Sequence, residues 1–326
     1  MLCLGRGAKK VYVPSPLARQ YFESMPDFIE VGRLLSPRFE YSERVNVFIN
    51  CCNSMGLLSG SECLAWININ FDPQKIEPRF GGVPAAELFN MLVTAIRNDW
   101  KINNLQAKVN ARKKEARIRC DEYCNYADSL FDNGHNNGCA RLVVLRIDLY
   151  YEKRYADSKS VFDITKDLDH LIENKRGNSL FDSMKGYIAK LEYGVGKGVH
   201  WHVILFFDGS VRKNSSHIDL AEDIGHYWID TITNGLGDFW NANKNADQYD
   251  KLVRRGIGVI NWYETELRNN LKEFVIGYLC KVDQFIKPKW GPKVRLFRRG
   301  LSPKKRINKL GRPRKALESY NPHDQV

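Results

Sequence analysis

The chain has 326 residues, 43% of them hydrophobic, which is ordinary for a globular protein and enough for one large domain or two modest ones. No run approaches the roughly 18 to 20 uninterrupted apolar residues of a membrane helix, and residues 1–13 hold too short an apolar stretch for a signal peptide. A cytoplasmic protein with no membrane partner is therefore expected, and the formal net charge of +12 directs attention to an anionic one.

Residues 1–135 are predicted to form a mainly helical accessory region of unassigned role. Pro14, Pro16, Pro37 and Pro73 interrupt its early part, and Leu88 to about Tyr126 has the spacing of one or two amphipathic helices, basic around Arg112 to Arg119. The eight cysteines are thinly spread, unlike a secreted disulfide framework, and are read as reduced thiols. Cys120, Cys124, His135 and Cys139 offer three thiolates and an imidazole for zinc. Against that, their spacing lacks a clean CxxC pair, and Cys120 with Cys124 fits one helix face. The loop from Asn133 to Gly138 marks the expected boundary.

From 136 to 300 the pattern changes to alternating strands and helices. Arg141–Tyr151 is dense in β-branched and aliphatic residues and reads as a strand, followed by a helix from about Asp163 to Glu173. Gly186–Tyr193 and Val199–Asp208 read as strands joined through the turn of Gly194, Gly196 and Gly198. Ile218 to about Thr233 is a predicted helix, Gly256–Tyr263 a fourth strand, Glu266–Phe285 a strongly periodic helix and Lys293–Arg298 a last strand. The order βαββαβαβ predicts an α+β domain with a mostly antiparallel central sheet and helices packed on it, because the tight glycine hairpin must join antiparallel neighbours.

Spacing alone tests the geometry of that hairpin. With the turn centred on Gly196, Glu192 lies opposite His200, and alternation along the strand puts His200 and His202 on one face. Two imidazoles and a carboxylate then converge, a set that binds a divalent cation with coordination positions left open. His226 is an alternative third ligand. The intervening residues Val199, Trp201, Val203, Leu205 and Phe207 form an apolar face expected to pack on helices.

In the periodic helix, Tyr278 and Lys281 are three apart and share a face beside a stripe of Leu271, Val275, Leu279, Val282 and Ile286. Phenol attacks poorly at a pKa near ~10 unless its proton is removed and its target made electrophilic. On pattern alone the pair is first a core tyrosine beside a snorkelling lysine.

Thirteen basic residues and no acidic one lie between Lys287 and Lys315, among them Arg298, Arg299, Lys304, Lys305, Arg306, Arg312, Arg314 and Lys315. The remainder of the chain has 37 basic residues against 38 acidic ones, so the excess charge sits in this segment. A polyanion is the natural partner, held by salt-sensitive, sequence-independent affinity. Residues 301–326 are expected to be a basic tail, and Gly311-Arg312-Pro313-Arg314 within it resembles the core of an AT-hook, which lies in the minor groove of A·T-rich duplex.

His200-Trp201-His202, Glu192 in the preceding strand, Tyr278-Leu279-Cys280-Lys281 and the upstream strand Arg146-Ile147-Asp148-Leu149 together resemble the HUH endonuclease superfamily. The tyrosine follows the histidines, as in rolling-circle replication initiators rather than conjugative relaxases. The stretch from Leu142 to Lys315 looks like inovirus-type and prophage replication proteins of the YagK/YfjJ class. That resemblance implies an HUH/RRM-like sheet carrying the histidines with the tyrosine helix packed over it, and Mg²⁺ or Mn²⁺ as the metal. It further implies nicking and rejoining of single-stranded DNA at an origin through a 5′-phosphotyrosine, with the host replication machinery as partner. Lys281 would position or neutralise the phosphate. Phe274 and Val282, at i−4 and i+4 from Tyr278, imply a single-tyrosine enzyme.

Two rivals remain open at this stage. One is a non-catalytic origin-binding protein acting through the basic tail. The other takes the two-histidine, one-carboxylate set as a ferrous oxygenase site; it leaves Tyr278 and the tail without a role. A metallo-hydrolase of the HxHxDH kind is excluded, because Val203, Ile204 and Leu205 follow His202.

Overall fold

A computed structural model describes residues 2–4, 11–35, 37–58, 72–77, 80–131, 138–156, 158–194, 197–211, 216–252, 254–282, 285–288 and 294–304. The chain divides into two compact units, Met1–Lys114 with Asp283–Gly291, and Glu115–Val282 with Pro292–Val326. The division falls inside the helix Leu105–Leu130, whose Tyr123, Tyr126, Ala127 and Leu130 lie on one face and join the core of the second unit.

In the first unit, the helices Pro16–Glu23, Met25–Leu34, Glu43–Ser54 and Ala85–Ile102 surround a core that includes Ile29, Cys52, Leu88 and Leu92. Ser15 and Ser42 cap two of them by accepting hydrogen bonds from backbone N–H groups that would otherwise be unpaired. A short strand, Phe39–Tyr41, pairs antiparallel with Phe285–Pro288, so the chain returns to this unit late in the sequence.

The second unit contains the latter part of α1 (Leu105–Leu130), then β1 (Arg141–Tyr151), α2 (Val161–Glu173), β2 (Met184–Gly194), β3 (Gly198–Asp208) and α3 (His217–Tyr227). They are followed by β4 (Gly237–Asn241), β5 (Gly258–Asn261), a helix α4 over 265–280 and β6 (Phe297–Arg299). The strands form one six-stranded sheet in the order β5-β1-β3-β2-β6, with β4 also on β1, and every pairing is antiparallel. The α+β class with a mostly antiparallel sheet is thus as predicted.

β4 is the element that periodicity misses. Its GDFWN sequence is short, begins with glycine, carries Asp238 and Asn241 and is preceded by Asn234-Gly235, so it reads as loop; the ladder offered by β1 makes it a strand. β5 occupies residues 141–144 of the same edge and β4 occupies 147–151. The carboxamide of buried Asn243 bridges the gap, accepting from Arg146 N at 2.8 Å and donating to Val144 O at 3.0 Å. This completes the hydrogen bonding of the edge where neither strand reaches.

Both faces of the sheet are covered. Trp201 projects to the expected apolar face, where its indole donates to Ile164 O of α2 at 3.0 Å. α2 forms there because Ser160 and Asp163 make a reciprocal capping box, and Val161, Ile164, Leu168 and Leu171 repeat at helical spacing. The opposite face, which carries the histidines, is also packed: Ile188, Ile204 and Phe206 share a core with α1 and α4.

α4 differs from its predicted extent. It ends at Cys280, not Phe285, because Lys281 is extended at φ −52° and ψ 152° and the chain beyond it joins a strand pair at Phe285–Pro288. Leu271, Val275 and Leu279 of the predicted stripe are buried, whereas Val282 and Ile286 lie beyond the helix. The middle of α4, Leu271–Ile276, is π-helical. No helix among the described residues is long and apolar enough to cross a membrane.

Candidate functional site

The β2–β3 hairpin has the register its spacing predicts: Gly194 pairs with Gly198, Glu192 with His200 and Lys190 with His202. Gly198 supplies the turn with φ +68°, a conformation that side chains with a Cβ rarely adopt. The apex, residues 195–196, lies outside the described residues. The ligand atoms of Glu192, His200 and His202 all lie within 4.8 Å of one another, and the two imidazoles are buried. Among the described residues this is the group that can hold a metal ion.

Each histidine is oriented through Nδ1. His200 Nδ1 lies 3.1 Å from Gly198 O, and His202 Nδ1 lies 2.6 Å from Asp148 Oδ1 on the facing strand β1. With Nδ1 engaged, Nε2 of each ring is the atom left for a cation. The donor set of two imidazole nitrogens and one carboxylate oxygen suits a borderline divalent ion and leaves coordination positions for a ligand. Asp148 belongs to the strand motif noted in the sequence, but its role could be found only from the β1–β3 register, which sets Asp148 opposite His202.

Burial and neighbouring charges set the protonation of the cluster. Burial lowers the pKa of His200 to about 4, with the neighbouring His202 charge adding to the effect, so His200 is neutral. For His202 burial acts in the same direction, but hydrogen bonds to Asp148 and Glu192 outweigh it and raise its pKa. Protonated His202 uses Nε2 to donate to Glu192 Oε2 at 3.1 Å. Burial opposes ionisation of Glu192, yet the hydrogen bond from His202 and the charges of Lys190, His202 and Lys281 hold its carboxyl well below the usual range. Lys190 is fully buried, with Nζ 3.3 Å from Glu192 Oε2. The hairpin register puts Lys190 on the face of Glu192, but its burial has no signal in the sequence, since a lysine in a strand ordinarily faces solvent.

Tyr278 stands over the cluster. Its ring meets that of His202 edge to face, with centroids 5.9 Å apart and planes at 87°, and the residue is 39% exposed. α4 sets this position by burying Leu279 and Ile276 while leaving Tyr278 at its margin. Lys281, although past the helix end, keeps Nζ 3.9 Å from the Tyr278 ring centroid. The guanidinium of Arg146, on the same face of β1 as Asp148, lies 4.7 Å from that centroid. The predicted quartet of Glu192, His200, His202 and Tyr278 is therefore brought together, with Lys281 beside it.

Other candidates lie elsewhere. His226 is on the exposed side of α3, 3.9 Å from Glu222 and edge to face with Phe239, and is no part of the cluster. Of the suggested zinc group, His135 lies outside the described residues and Cys139 hydrogen-bonds to Asp208. Cys120 and Cys124 have sulfurs 4.0 Å apart, and burial raises the pKa of Cys124 to about 12, so that thiol stays protonated. Arg298 and Arg299 lie in β6, paired with Asp169 and Glu122, and their charges are compensated within the unit. Lys304 is exposed, while Lys305, Arg306, Arg312, Arg314 and Lys315 lie outside the described residues. Comparison of the chain with protein-family models, with curated proteins and with solved structures finds no match.

Proposed function

We propose that this chain is a metal-dependent endonuclease and strand transferase of the HUH type, which nicks and rejoins single-stranded DNA to initiate rolling-circle replication of a phage, plasmid or prophage element. The observation that carries this reading is the stacking of a half-exposed phenol, Tyr278, on the edge of His202 in a three-ligand cluster. When bound by Glu192, His200 and His202, Mg²⁺ or Mn²⁺ supplies Lewis-acid polarisation of a phosphoryl oxygen.

The residues of the chain perform the rest. The Tyr278 hydroxyl oxygen forms a bond to phosphorus as the bond to the upstream 3′-oxygen breaks. The phenolic proton is lost and the leaving 3′-oxygen gains one, which balances the step. The downstream strand stays on Tyr278 as a 5′-phosphotyrosine, and the free 3′-OH serves a host polymerase. Attack of a later 3′-OH on the phosphotyrosine reverses these events and closes the strand. Because the transfer exchanges one phosphodiester for another, it needs no external energy source. Lys281 stands where it can neutralise the phosphate, and the excess positive charge of 287–315 suits the DNA backbone. Single strands are the fitting substrate, since a flexible strand can bring its scissile phosphate down to the buried imidazoles. Recognition of A·T-rich duplex by the segment 311–314 belongs to the same proposal.

The test is incubation of the full chain with single-stranded oligonucleotides tiling the DNA around its own coding sequence, with Mn²⁺ or with chelator. A denaturation-resistant protein–DNA adduct that needs the metal supports the reading. Absence of any adduct across the tiles, with Mn²⁺ binding shown, contradicts it.

A further inference from the structure

Most half-buried guanidinium groups of the second unit are spent on carboxylates: Arg268 on Asp128, Arg298 on Asp169 and Arg299 on Glu122. Arg146 has no such carboxylate partner: among the described residues its guanidinium makes no hydrogen bond and no ion pair within 4.0 Å, although its charge acts on Asp148, and its Nε, like those of Arg268 and Arg298, is buried without a partner. It is held instead by two aromatic rings, 4.7 Å from the centroid of Tyr278 and 5.9 Å from that of Trp240. Its backbone is fixed by the Asn243 bridge at 2.8 Å. A desolvated donor left without an acceptor costs free energy, so a half-buried guanidinium in this state is suited to an incoming anion.

The place of that anion follows from the neighbours. Arg146 and Asp148 are two residues apart on β1 and share the face of His202, and Asp148 is already engaged with His202. Lys281 brings a second cation to the ring of Tyr278, likewise without a hydrogen-bonded carboxylate among the described residues. Both cations therefore lie against the ring of Tyr278, which itself meets His202 edge to face.

We propose that Arg146 is a phosphate-binding residue of this site: its guanidinium takes the non-bridging oxygens of the phosphodiester presented to Tyr278, and it does so before any metal is bound. The assignment rests on the proposed function for the identity of the anion, a DNA phosphate. It adds a ligand that neither the histidine motif nor the tyrosine motif contains. Aromatic packing keeps the planar fork pre-oriented, so a lysine cannot replace it fully.

The test reads binding as well as chemistry. Affinity for a short single strand is measured in chelator over a range of salt, for wild type, Arg146→Met and Arg146→Lys. The Met variant is expected to bind about tenfold more weakly and to lose about 0.7 from the slope of log affinity against log salt, the contribution of one single-strand phosphate contact. The Lys variant should keep the slope but form the adduct about tenfold more slowly, because charge remains and the fork is gone. A Mn²⁺-induced rise in Tm in both variants shows that the fold and ligands survive. Unchanged affinity and slope in Arg146→Met would overturn the assignment and leave Arg146 as packing for Tyr278. Failure of wild type to form a Tyr278-dependent adduct would instead overturn the proposed function, while the salt slope still reports whether Arg146 contacts phosphate.

Discussion

Asp148 and His202 face each other across β1 and β3, with Oδ1 and Nδ1 2.6 Å apart, so that the ring nitrogen pointing into the cluster is Nε2. This hydrogen bond fixes ring orientation and tautomer together. It also links the cluster that can hold a metal ion to the strand that carries Arg146.

Replacing Asp148 with Asn should therefore weaken the metal without removing a ligand. Second-sphere partners of this kind are worth about 10- to 100-fold in metal affinity. Calorimetric titration with Mn²⁺ is expected to show a loss of that size in Asp148→Asn and loss of resolvable binding in His200→Ala or His202→Ala. An Asp148→Asn protein that binds as tightly as wild type would show that the hydrogen bond merely accompanies the site.

Metal binding should also depend on pH in a defined direction. His202 has its pKa raised above 6.5 by its two carboxylate partners, so its protonated form stabilises the metal-free fold. That contribution is full below the unfolded value of 6.5 and is lost as pH rises through the folded value. A cation on Nε2 must displace this proton, so apparent affinity should climb about tenfold per pH unit below the folded pKa of His202 and level off above it. His200, lowered to about 4, contributes no proton in that range. The rise in Tm caused by Mn²⁺, followed from pH 6 to 8, measures this; a shift independent of pH would mean that His202 is not a ligand.

Asn243 is expected to be a stability residue. Asn243→Ala would leave Arg146 N and Val144 O without partners at a buried gap in the sheet edge. Each unpaired group costs about 1–3 kcal/mol, so a loss of about 2–6 kcal/mol is expected in urea unfolding, and Arg146 loses its anchor. A loss below about 0.5 kcal/mol would show that the gap is readily solvated.

Much of the site was legible in the sequence because a hairpin obeys arithmetic. Once the glycine turn is located, a period of two places Glu192 opposite His200 and both histidines on one face, and the structure has that register. The helix bearing Tyr278 was legible from its apolar stripe, but its end was not, since the break at Lys281 follows from strand pairing of 285–288 with a segment some 250 residues earlier in the chain. Asp148 and Arg146 depend on which strand lies on the other side of β3, and no local pattern specifies that order; Lys190 falls opposite His202 by the hairpin register, but its burial has no local signal. β4 was invisible for a related reason: a polar five-residue segment becomes a strand only through the edge it meets.

The central claim is that Tyr278 accepts the cut strand, and mapping the adduct tests it most directly. Protein treated with its tiled single strands and Mn²⁺ is digested with nuclease and protease, and the peptide retaining a nucleotide is sequenced by mass spectrometry. The nucleotide is expected as a 5′-phosphoryl ester on Tyr278, absent in Tyr278→Phe while Mn²⁺ affinity is unchanged. An adduct on another residue, or one that persists at wild-type yield in Tyr278→Phe, would contradict the claim.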